Sequence, residues 1–561
     1  MAGPLASHDE SREEEPQPET ISLLRLDQAD ISTASGTDSE TASGSESEID
    51  AVHLVEQSAS QSVGVPMKRK AEEDSSKTRP KMARPSTTVG SSKNAMKFPD
   101  GALRITRTPG RQTAKNCVNL EDLIDKKSLV SACIFSFFIA NEELFPHLPL
   151  SQSSNVPIYI GRDPNMDPMV PVACQRAGIT IKGKLTRKQL DSIGPSLSQL
   201  HKRRYGKNYH SFYAWSSGSS HSKILVLMYP TFLRLVITSC NMMDIDTMDG
   251  DNHWYIHDIP KLPVGKKHRL YQFEDAFLAH LQSLKAPLEF VGSIEGLYDF
   301  SNVKIHLVTS VPGTKAGINA EIYGLLRFRR IVKNLDLDLW RKSTEGKLRL
   351  DVCAASIGNL NAQWLNGFHD CITGKEDLEV ATAAHGVPDL RLFYPTVGDV
   401  KSAHPSAQSG ASNIGCHTRP WDTAPADVKK IFHHYRSKDT GRLFHQKFIL
   451  AYTPEDMTAA PYFVYIGSAN LSQSAWGALE VDKRGNQATC GTKLVKMSSF
   501  ECGVVIPGYL IKDLLEPGTE SWVDGLVPYD HNARQYDLGK RDRPWNDPRW
   551  VQDYREDYDG D

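Results

Sequence analysis

The chain has 561 residues, 39% hydrophobic and 24% charged, so it is long enough for two or three domains of ordinary globular composition. Its formal net charge of -3 excludes a uniformly basic surface, and any nucleic-acid-binding patch must be local. Nine scattered cysteines without a C-x-x-C pair favour reduced thiols over a disulfide framework. The longest apolar stretch, LVSACIFSFFIA, is shorter than the roughly 20 residues of a membrane helix. We therefore expect a soluble intracellular protein that does not enter a membrane.

The first 115 residues are predicted to form a disordered regulatory tail, because stretches such as STASGTDSETASGSESEID are too polar to bury a core. Two basic clusters lie within this tail, at residues 68–70 and 77–84, and a polar spacer separates them. The pattern is typical of a bipartite nuclear import signal, with a solvated charge run as the alternative. We therefore expect the protein in the nucleus.

From residue 116 onward, short apolar runs alternate with amphipathic helical stretches, which predicts an α/β fold with helices flanking mixed sheets. One such stretch, QFEDAFLAHLQSL, has its large apolar residues on a single helical face. Turn residues near 292–302 indicate a boundary between two halves, residues 116–298 and 299–561. The runs that read as buried strands are VPIYIG, KILVLM, LRLVIT, KIHLVT, LRLDVCAAS, KFILAY, YFVYIG and CGVVIP.

A motif occurs once in each half. HSKILVLM and HQKFILAY both begin with H-x-K and continue as a strand, in which residues i and i+2 point to the same face. Each copy leads to a second strand that ends at an asparagine, and then to a polar residue ahead of another apolar run. In order, these positions are His221, Lys223, Asn241 and Asn252 in the first copy and His445, Lys447, Asn470 and Glu501 in the second.

This doubled set suits chemistry at phosphorus. Lysine ammonium and asparagine amide groups donate to phosphate oxygens and neutralise the charge that develops during phosphoryl transfer. One imidazole can attack phosphorus, while the other protonates the leaving oxygen and then activates water. Because the lysines supply the positive charge that a cation would otherwise bring, we expect no metal and no other cofactor. The repeat predicts two similar halves related by a pseudo-twofold axis, with the active site between them.

The doubled H-x-K with trailing asparagines resembles the phospholipase D superfamily and, within it, the tyrosyl-DNA phosphodiesterases. Neither copy has the aspartate that usually follows the lysine in the superfamily, whereas GSANLSQSAWG, FECGVVIP and the terminal VPYD…KRDRPW match the tyrosyl-DNA branch, over roughly residues 116–545. The resemblance implies a DNA-repair enzyme that hydrolyses the bond between a tyrosine and a DNA 3'-phosphate and also trims other 3' blocks. It further implies a monomer whose partner is DNA bearing a tyrosyl peptide, with repair-protein contacts through the tail.

The resemblance assigns a role to each repeated residue. His221 becomes the nucleophile that forms a phosphohistidine, and His445 becomes the acid that protonates the departing tyrosine. The lysines and asparagines of both copies hold the phosphoryl oxygens. Glu501 is expected to support the ring of His221. Asn252 is expected to support the ring of His445, although it stands where the family carries a longer glutamine. A charged and a neutral partner would then distinguish the nucleophile from the acid.

Contacts to DNA also follow from the resemblance, with ordinary turn chemistry as the alternative. Ser217 replaces the aromatic residue that the family places before Gly218 to stack on a base, so Trp215 or Tyr213 is a candidate replacement, with core packing the alternative. The Lys- and Arg-rich segment 182–208 resembles an insertion, which we expect to be a solvated loop or a DNA-facing basic patch. The implied DNA-binding residues are Gly218, Ser356, Asn359 and Ser472, together with Lys223 and Lys447.

Two other functions are compatible with the same residues. A phospholipid-cleaving enzyme would use similar site chemistry, and a non-catalytic DNA-binding adaptor would retain the fold with a decayed site. The spacing of Cys416, His417, His433 and His434 does not fit a zinc site, and DIDTMDGD, residues 244–251, does not fit a calcium loop and reads as a polar turn.

Overall fold

The computed structural model describes residues 96–378, 387–481 and 493–546. The strands in these ranges are β1 (Ala102–Thr106), β2 (Cys117–Val118), β3 (Ser131–Ser136), β4 (Ile158–Arg162), β5 (Tyr209–Tyr213), β6 (Ile224–Met228), β7 (Phe232–Thr238), β8 (His253–Pro260), β9 (His306–Ser310), β10 (Gly313–Ala316), β11 (Arg349–Cys353), β12 (Ser356–Ile357), β13 (Arg391–Tyr394), β14 (Gly415–Cys416), β15 (Phe432–His434), β16 (Phe448–Tyr452), β17 (Phe463–Gly467), β18 (Ala478–Val481), β19 (Lys493–Met497) and β20 (Glu501–Pro507). All eight apolar runs that predict strands lie on these strands.

Helices connect and flank the strands. QFEDAFLAHLQSL forms a helix as predicted, and none of the helices among the described residues is long and apolar enough to cross a membrane. The α-helices of five or more residues are Val170–Arg176, Arg187–Tyr205, Gln272–Ser283, Leu288–Gly292, Gly324–Asn334, Leu339–Thr344, Ala362–Ile372, Val397–Lys401, Thr418–Thr423, Gly508–Leu514 and Trp522–Leu526. The four-residue helices are Leu120–Leu123, Asn141–Leu144, Pro405–Gln408, Ala426–Lys429 and Gln473–Trp476.

The two large sheets share one topology. The first has the order β2-β1-β8-β7-β6-β3-β4-β5, and the second has the order β15-β13-β11-β16-β17-β20-β9. Counted from β5 in the first sheet and from β15 in the second, the first two pairs of neighbouring strands are parallel and the next four are antiparallel. The first sheet has one further pair, β1 with β2, which is parallel. β6 and β16, which follow the two H-x-K motifs, occupy equivalent places. The fold is therefore α/β with two similar halves, as the sequence predicts.

The first half begins earlier than residue 116. β1 is fully buried and pairs with β8, in the place that β9 takes beside β20 in the other sheet. Arg111, also within the predicted tail, lies 2.5 Å from the buried Asp251. The boundary at residue 115 is wrong because it assigns a strand of the sheet to the polar tail. Residues 1–95 of that tail, including the two basic clusters, lie outside the described residues.

The expectation of a solvated loop over residues 182–208 is also wrong. This segment contains the helix Arg187–Tyr205, which begins at a capping box formed by Thr186 and Gln189 and ends at Gly206, whose φ is +135°. Its apolar residues recur at helical spacing and are buried against the helix Val170–Arg176, at Leu190, Ile193, Leu197 and Leu200. The basic residues of the segment are therefore carried by a packed helix.

The two halves share a hydrophobic core. In β6, Ile224 and Val226 belong to a cluster that includes Val464 and Val504 of the second sheet, whereas Leu225 and Leu227 face a separate cluster within the first half. This alternation is the two-residue period of a strand that is buried on both faces. At the junction the ring of His253 stacks on Phe448 with centroids 4.5 Å apart.

The position of β1 leads to a prediction about chain boundaries. A fragment of residues 96–546 should unfold cooperatively, whereas a fragment of residues 116–546 should not, because losing a buried strand exposes the edge of β8 and its apolar faces. Thermal unfolding followed by circular dichroism checks this, and equal melting temperatures for the two fragments would contradict the assignment of β1 to the fold.

Candidate active site

Two reciprocal backbone contacts between the halves bring the histidines together. The amide of His221 donates to the carbonyl oxygen of Phe500 at 2.9 Å, and the amide of His445 donates to that of Asp251 at 3.2 Å. Each histidine thereby lies beside the segment of the other half that carries the last polar residue of the repeat. The corresponding β-bridges are Ser220–Phe500 and Asp251–Phe444.

The two imidazoles face each other although 224 positions separate them in the sequence. The ring centroids of His221 and His445 are 6.4 Å apart, with the ring planes inclined at 73°. Both side chains are buried, at 3% and 6% exposure. This separation allows both rings to contact a single phosphoryl group.

The contacts of His221 define its tautomer. Its Nδ1 lies 2.9 Å from the carbonyl oxygen of Ser468 and 3.2 Å from Oε2 of Glu501, and a carbonyl can only accept, so Nδ1 carries the proton. The lone pair is then on Nε2. Burial lowers the pKa of His221 well below its ordinary value, and the charges of Lys223 and Lys447 act in the same direction. His221 is therefore a neutral imidazole, as a nucleophile requires.

The expectation that Asn252 supports His445 is wrong. Oδ2 of Asp246 occupies that place, 2.8 Å from Nδ1 of His445, at ion-pair distance but not aligned as a hydrogen bond. The side chain of Asn252 is engaged elsewhere, because its amide oxygen accepts from the hydroxyl of Ser239 and its amide nitrogen donates to the carbonyl oxygen of Asp246. Both histidines therefore have a carboxylate neighbour.

Asp246 lies in residues 244–251, for which the sequence predicts a polar turn. A single π-helical turn, Ile245–Asp249, directs this carboxylate toward His445. The same Oδ2 accepts a hydrogen bond from the backbone N–H of Asn241 at 2.8 Å. Asn413 of the second half donates to Oδ1 at 3.3 Å. The signal in the sequence was an aspartate five residues after Asn241, which has no counterpart after Asn470.

The two lysines are buried and held in equivalent ways. Nζ of Lys223 donates to the carbonyl oxygen of His221 at 2.6 Å, and Nζ of Lys447 donates to that of His445 at 2.7 Å. Nζ of Lys447 also lies 2.9 Å from Nε2 of His445. Burial lowers the pKa of Lys447 well below its ordinary value, and the charge of Lys223 adds to this effect. An anion placed between these ammonium groups would be attracted by both.

The two asparagines are also equivalent. The amide oxygen of Asn241 accepts from the backbone N–H of Phe138, just after β3, at 3.4 Å. That of Asn470 accepts from the backbone N–H of Ser356, just after the equivalent strand β11, at 3.0 Å. Because each oxygen is fixed in this way, each amide nitrogen can donate to a phosphoryl oxygen.

The predicted DNA-binding residues are brought together only in part. Gly218, Ser356 and Ser472 line a narrow pocket that also contains Asn470 and Glu501. A Cβ atom on Gly218 would lie 2.6 Å from the carbonyl oxygen of Ser498, so only glycine fits there. Asn359 is exposed and does not line this pocket.

The candidate stacking residues have structural partners. The hydroxyl of Tyr213 donates to the buried Asp167 at 2.8 Å, which assigns this ring to the packing of the first half. The indole N–H of Trp215 donates to the carbonyl oxygen of Leu185 at 2.7 Å, while 39% of the residue remains exposed. Of the two, Trp215 is the more exposed.

Neither the Cys416–His434 region nor residues 244–251 form a metal centre. In the described parts of the chain, no three His, Cys, Asp or Glu residues are grouped so that they could hold an ion. His434 lies between Asp399 and Asp542, at 2.7 and 3.0 Å, and Cys416 is buried. The aspartates of residues 244–251 have separate partners, among them Arg442 and Arg111.

Burial of a neutral His445 predicts acid lability. Burial lowers the pKa of His445 to about 4 from an ordinary 6.5, against the opposing charge of Asp246. Between these two values the unfolded chain binds one more proton than the folded protein, so stability falls as the pH falls from about 6.5 to about 4. Replacing His445 with Gln should remove this contribution. Between pH 7 and pH 5, the free energy of unfolding of the variant should therefore fall by about 2 kcal/mol less than that of the wild type. Urea unfolding at both pH values measures it, and identical losses would contradict a neutral buried ring.

Comparison with known proteins agrees with this arrangement. The family model described as tyrosyl-DNA phosphodiesterase matches residues 102–537. Tyrosyl-DNA phosphodiesterase 1 of Arabidopsis thaliana is 25% identical over 304 residues, which cover 52% of this chain and 47% of the plant protein. Tyrosyl-DNA phosphodiesterase 1 of Drosophila melanogaster is 24% identical over 339 residues, which cover 56% and 54%. The matched region thus spans about half the length of these relatives.

The fold is also shared with a solved structure. The crystal structure of the yeast tyrosyl-DNA phosphodiesterase aligns with a TM-score of 0.55 at 15% sequence identity, covering 80% of this chain and 100% of the yeast chain. The doubled motif and the strands of both large sheets lie within residues 102–537, the region that the family model matches. This chain belongs to the tyrosyl-DNA phosphodiesterase family.

Proposed function

We propose that this protein is a metal-independent phosphodiesterase that hydrolyses the bond between a tyrosine and a DNA 3'-phosphate through a covalent phosphohistidine. The observation that carries the proposal is the pair of buried imidazoles from opposite halves, 6.4 Å apart, each with a buried lysine in contact with the same histidine residue. The proposed product is a 3'-phosphate, and other 3'-blocking groups are proposed as further substrates.

In the first step, Nε2 of His221 attacks phosphorus and the bond from phosphorus to the tyrosine oxygen breaks. The protonated Nε2 of His445 transfers its proton to that oxygen, which gives free tyrosine and DNA linked to His221. A phenol with a pKa of ~10 needs only modest assistance to leave. The anionic phosphodiester, once between the lysines, favours the protonated form of His445 that this step requires.

In the second step, water attacks the phosphohistidine from the side that the tyrosine has left. His445, now neutral, accepts a proton from the water, and the bond from phosphorus to His221 breaks. The DNA leaves with a 3'-phosphate, and His221 returns to its neutral form. In each step His445 carries the proton that the reacting oxygen gains or loses.

The positive charge for both steps comes from the protein. Lys223 and Lys447 neutralise the charge that develops on the equatorial oxygens, and the amide nitrogens of Asn241 and Asn470 donate to the same oxygens. Because two ammonium groups already flank the reacting phosphorus, a divalent cation is not part of the proposed mechanism.

The proposal includes the biological setting that the sequence favours. The substrate is DNA with a 3'-tyrosyl peptide, the protein acts as a monomer in the nucleus, and the N-terminal tail binds repair proteins. Phospholipid cleavage and non-catalytic DNA binding are the competing functions. All four residues of the two H-x-K pairs are present and buried at the junction, which argues against a non-catalytic adaptor with a decayed site.

A direct assay separates these functions. The protein should convert a 3'-phosphotyrosyl oligonucleotide into the 3'-phosphate in the presence of EDTA, and H221A should lose at least about a thousandfold in rate because it lacks the nucleophile. His369, a buried histidine of the second half whose ring contacts Ser343, provides the control H369Q. Binding of the oligonucleotide without product would favour the adaptor, and cleavage of phosphatidylcholine vesicles instead would favour the lipid enzyme.

The carboxylate beside the nucleophile provides a second test. E501Q should slow formation of the covalent adduct by about tenfold or more, because a neutral amide supports the developing positive charge on His221 less than a carboxylate does. Rapid-quench single-turnover measurements report this rate, with E289Q, at an exposed glutamate, as the matched control. An adduct rate that E501Q leaves unchanged would remove this role from Glu501.

A further inference from the structure

The polar pocket lined by Gly218, Ser356 and Ser472 adjoins the reacting groups on the side of His221, which contacts Glu501 in the pocket wall. It shares Asn470 and Glu501 with the candidate active site. Its walls consist mainly of hydroxyl groups and include a single ammonium group, supplied by Ser219, Ser356, Ser472, Ser474, Ser499 and Lys184. Hydroxyl and ammonium groups are the side-chain donors that suit a phosphodiester, whereas the carboxylate of Glu501 already accepts from Ser468 and His221.

Lys184 reaches this pocket from the loop just before the helix Arg187–Tyr205, in the segment that the family resemblance does not account for. Its Nζ donates to the carbonyl oxygen of Gly218 at 3.2 Å and lies 3.4 Å from that of Ser217. The neighbouring backbone is fixed at Leu185, whose amide donates to Asn165 and whose carbonyl accepts from Trp215. The ammonium group is thus held at the pocket, and its third donor can point to a ligand.

The geometry of displacement indicates which part of the substrate enters this pocket. The nucleophile and the leaving oxygen lie on opposite sides of phosphorus, so the tyrosyl peptide departs on the side of His445. The DNA strand stays attached to the phosphorus through its 3' oxygen and cannot occupy the path of the leaving group. The pocket beside His221 is therefore available to the DNA.

We propose that Lys184 binds the DNA backbone phosphate next to the 3'-phosphate under attack, in the pocket whose Ser356 and Ser472 the family resemblance already implies as DNA contacts. This inference rests on the proposed function and adds a substrate-binding residue to it. Recognition at this place is through phosphate, so it is independent of the base and sensitive to salt.

The contact predicts a difference between long and short substrates. A 3'-phosphotyrosyl oligonucleotide has the neighbouring phosphate, whereas thymidine 3'-(4-nitrophenyl phosphate) has only the phosphorus under attack. K184Q should raise KM for the oligonucleotide about three- to tenfold with little change in kcat, and should leave both constants for the mononucleotide unchanged. K184R, which keeps the charge, should restore most of the affinity.

A charge-matched control distinguishes this local contact from a general loss of positive charge. Arg203 is exposed near the far end of the helix Arg187–Tyr205, about 24 Å from its start at 1.5 Å per residue. R203Q should leave KM for the oligonucleotide unchanged. K184Q, but not R203Q, should also reduce the slope of log Kd against log salt concentration by about 1 for a 3'-phosphate oligonucleotide.

The outcomes separate this inference from the function on which it rests. If the wild type cleaves neither substrate, the proposed function fails, while the binding slope still tests the phosphate contact. If K184Q impairs both substrates equally, or if R203Q has the same effect as K184Q, Lys184 does not bind the neighbouring phosphate. Equal melting temperatures of the variants and the wild type ensure that KM reports binding and not unfolding.

Discussion

The site depends on the two reciprocal backbone contacts that join the halves, His221 to Phe500 and His445 to Asp251. They place two imidazoles and two ammonium groups in a shared, buried junction, where each charge is costly to desolvate. The cost is offset by carboxylates that reach each ring and by carbonyl oxygens that accept from each lysine. Burial in turn lowers the pKa of both histidines and makes the junction strongly attractive to an anion.

The junction is symmetric in its backbone and asymmetric in its side chains. Glu501 and Asn252 follow equivalent bridges, yet only Glu501 contacts the histidine of the other half. Asp246, from a π-helical turn that follows Asn241, takes the position at His445, whereas Asn470 is followed by the α-helix Gln473–Trp476. A contrast between a charged and a neutral partner therefore does not separate the roles of the two rings. The proton on Nδ1 of His221 and the lysine beside Nε2 of His445 distinguish them instead.

The features predicted correctly are those that a repeat makes visible. Two H-x-K copies on similar strands specify which side chains share a face, and the buried runs specify both sheets. Asp246 could not be identified in this way, because a π-helical turn has no periodic signature and the residue occurs in only one half. β1 was missed because its five residues follow a long polar tail, and its pairing with β8 spans about 150 positions. The helix at 187–205 was readable from its capping box and apolar spacing, but its Lys and Arg content led to the wrong interpretation.

The central claim is that the two rings act from opposite sides of one phosphorus, with His221 bonded to it and His445 supplying and removing protons. Peptide mapping by mass spectrometry of a quenched reaction between H445Q and a 3'-phosphotyrosyl oligonucleotide tests this most directly, because the intermediate should accumulate when its hydrolysis lacks a base. The account predicts the nucleotide on the peptide that contains His221. Attachment to any other residue, or product formed without an adduct, would contradict it.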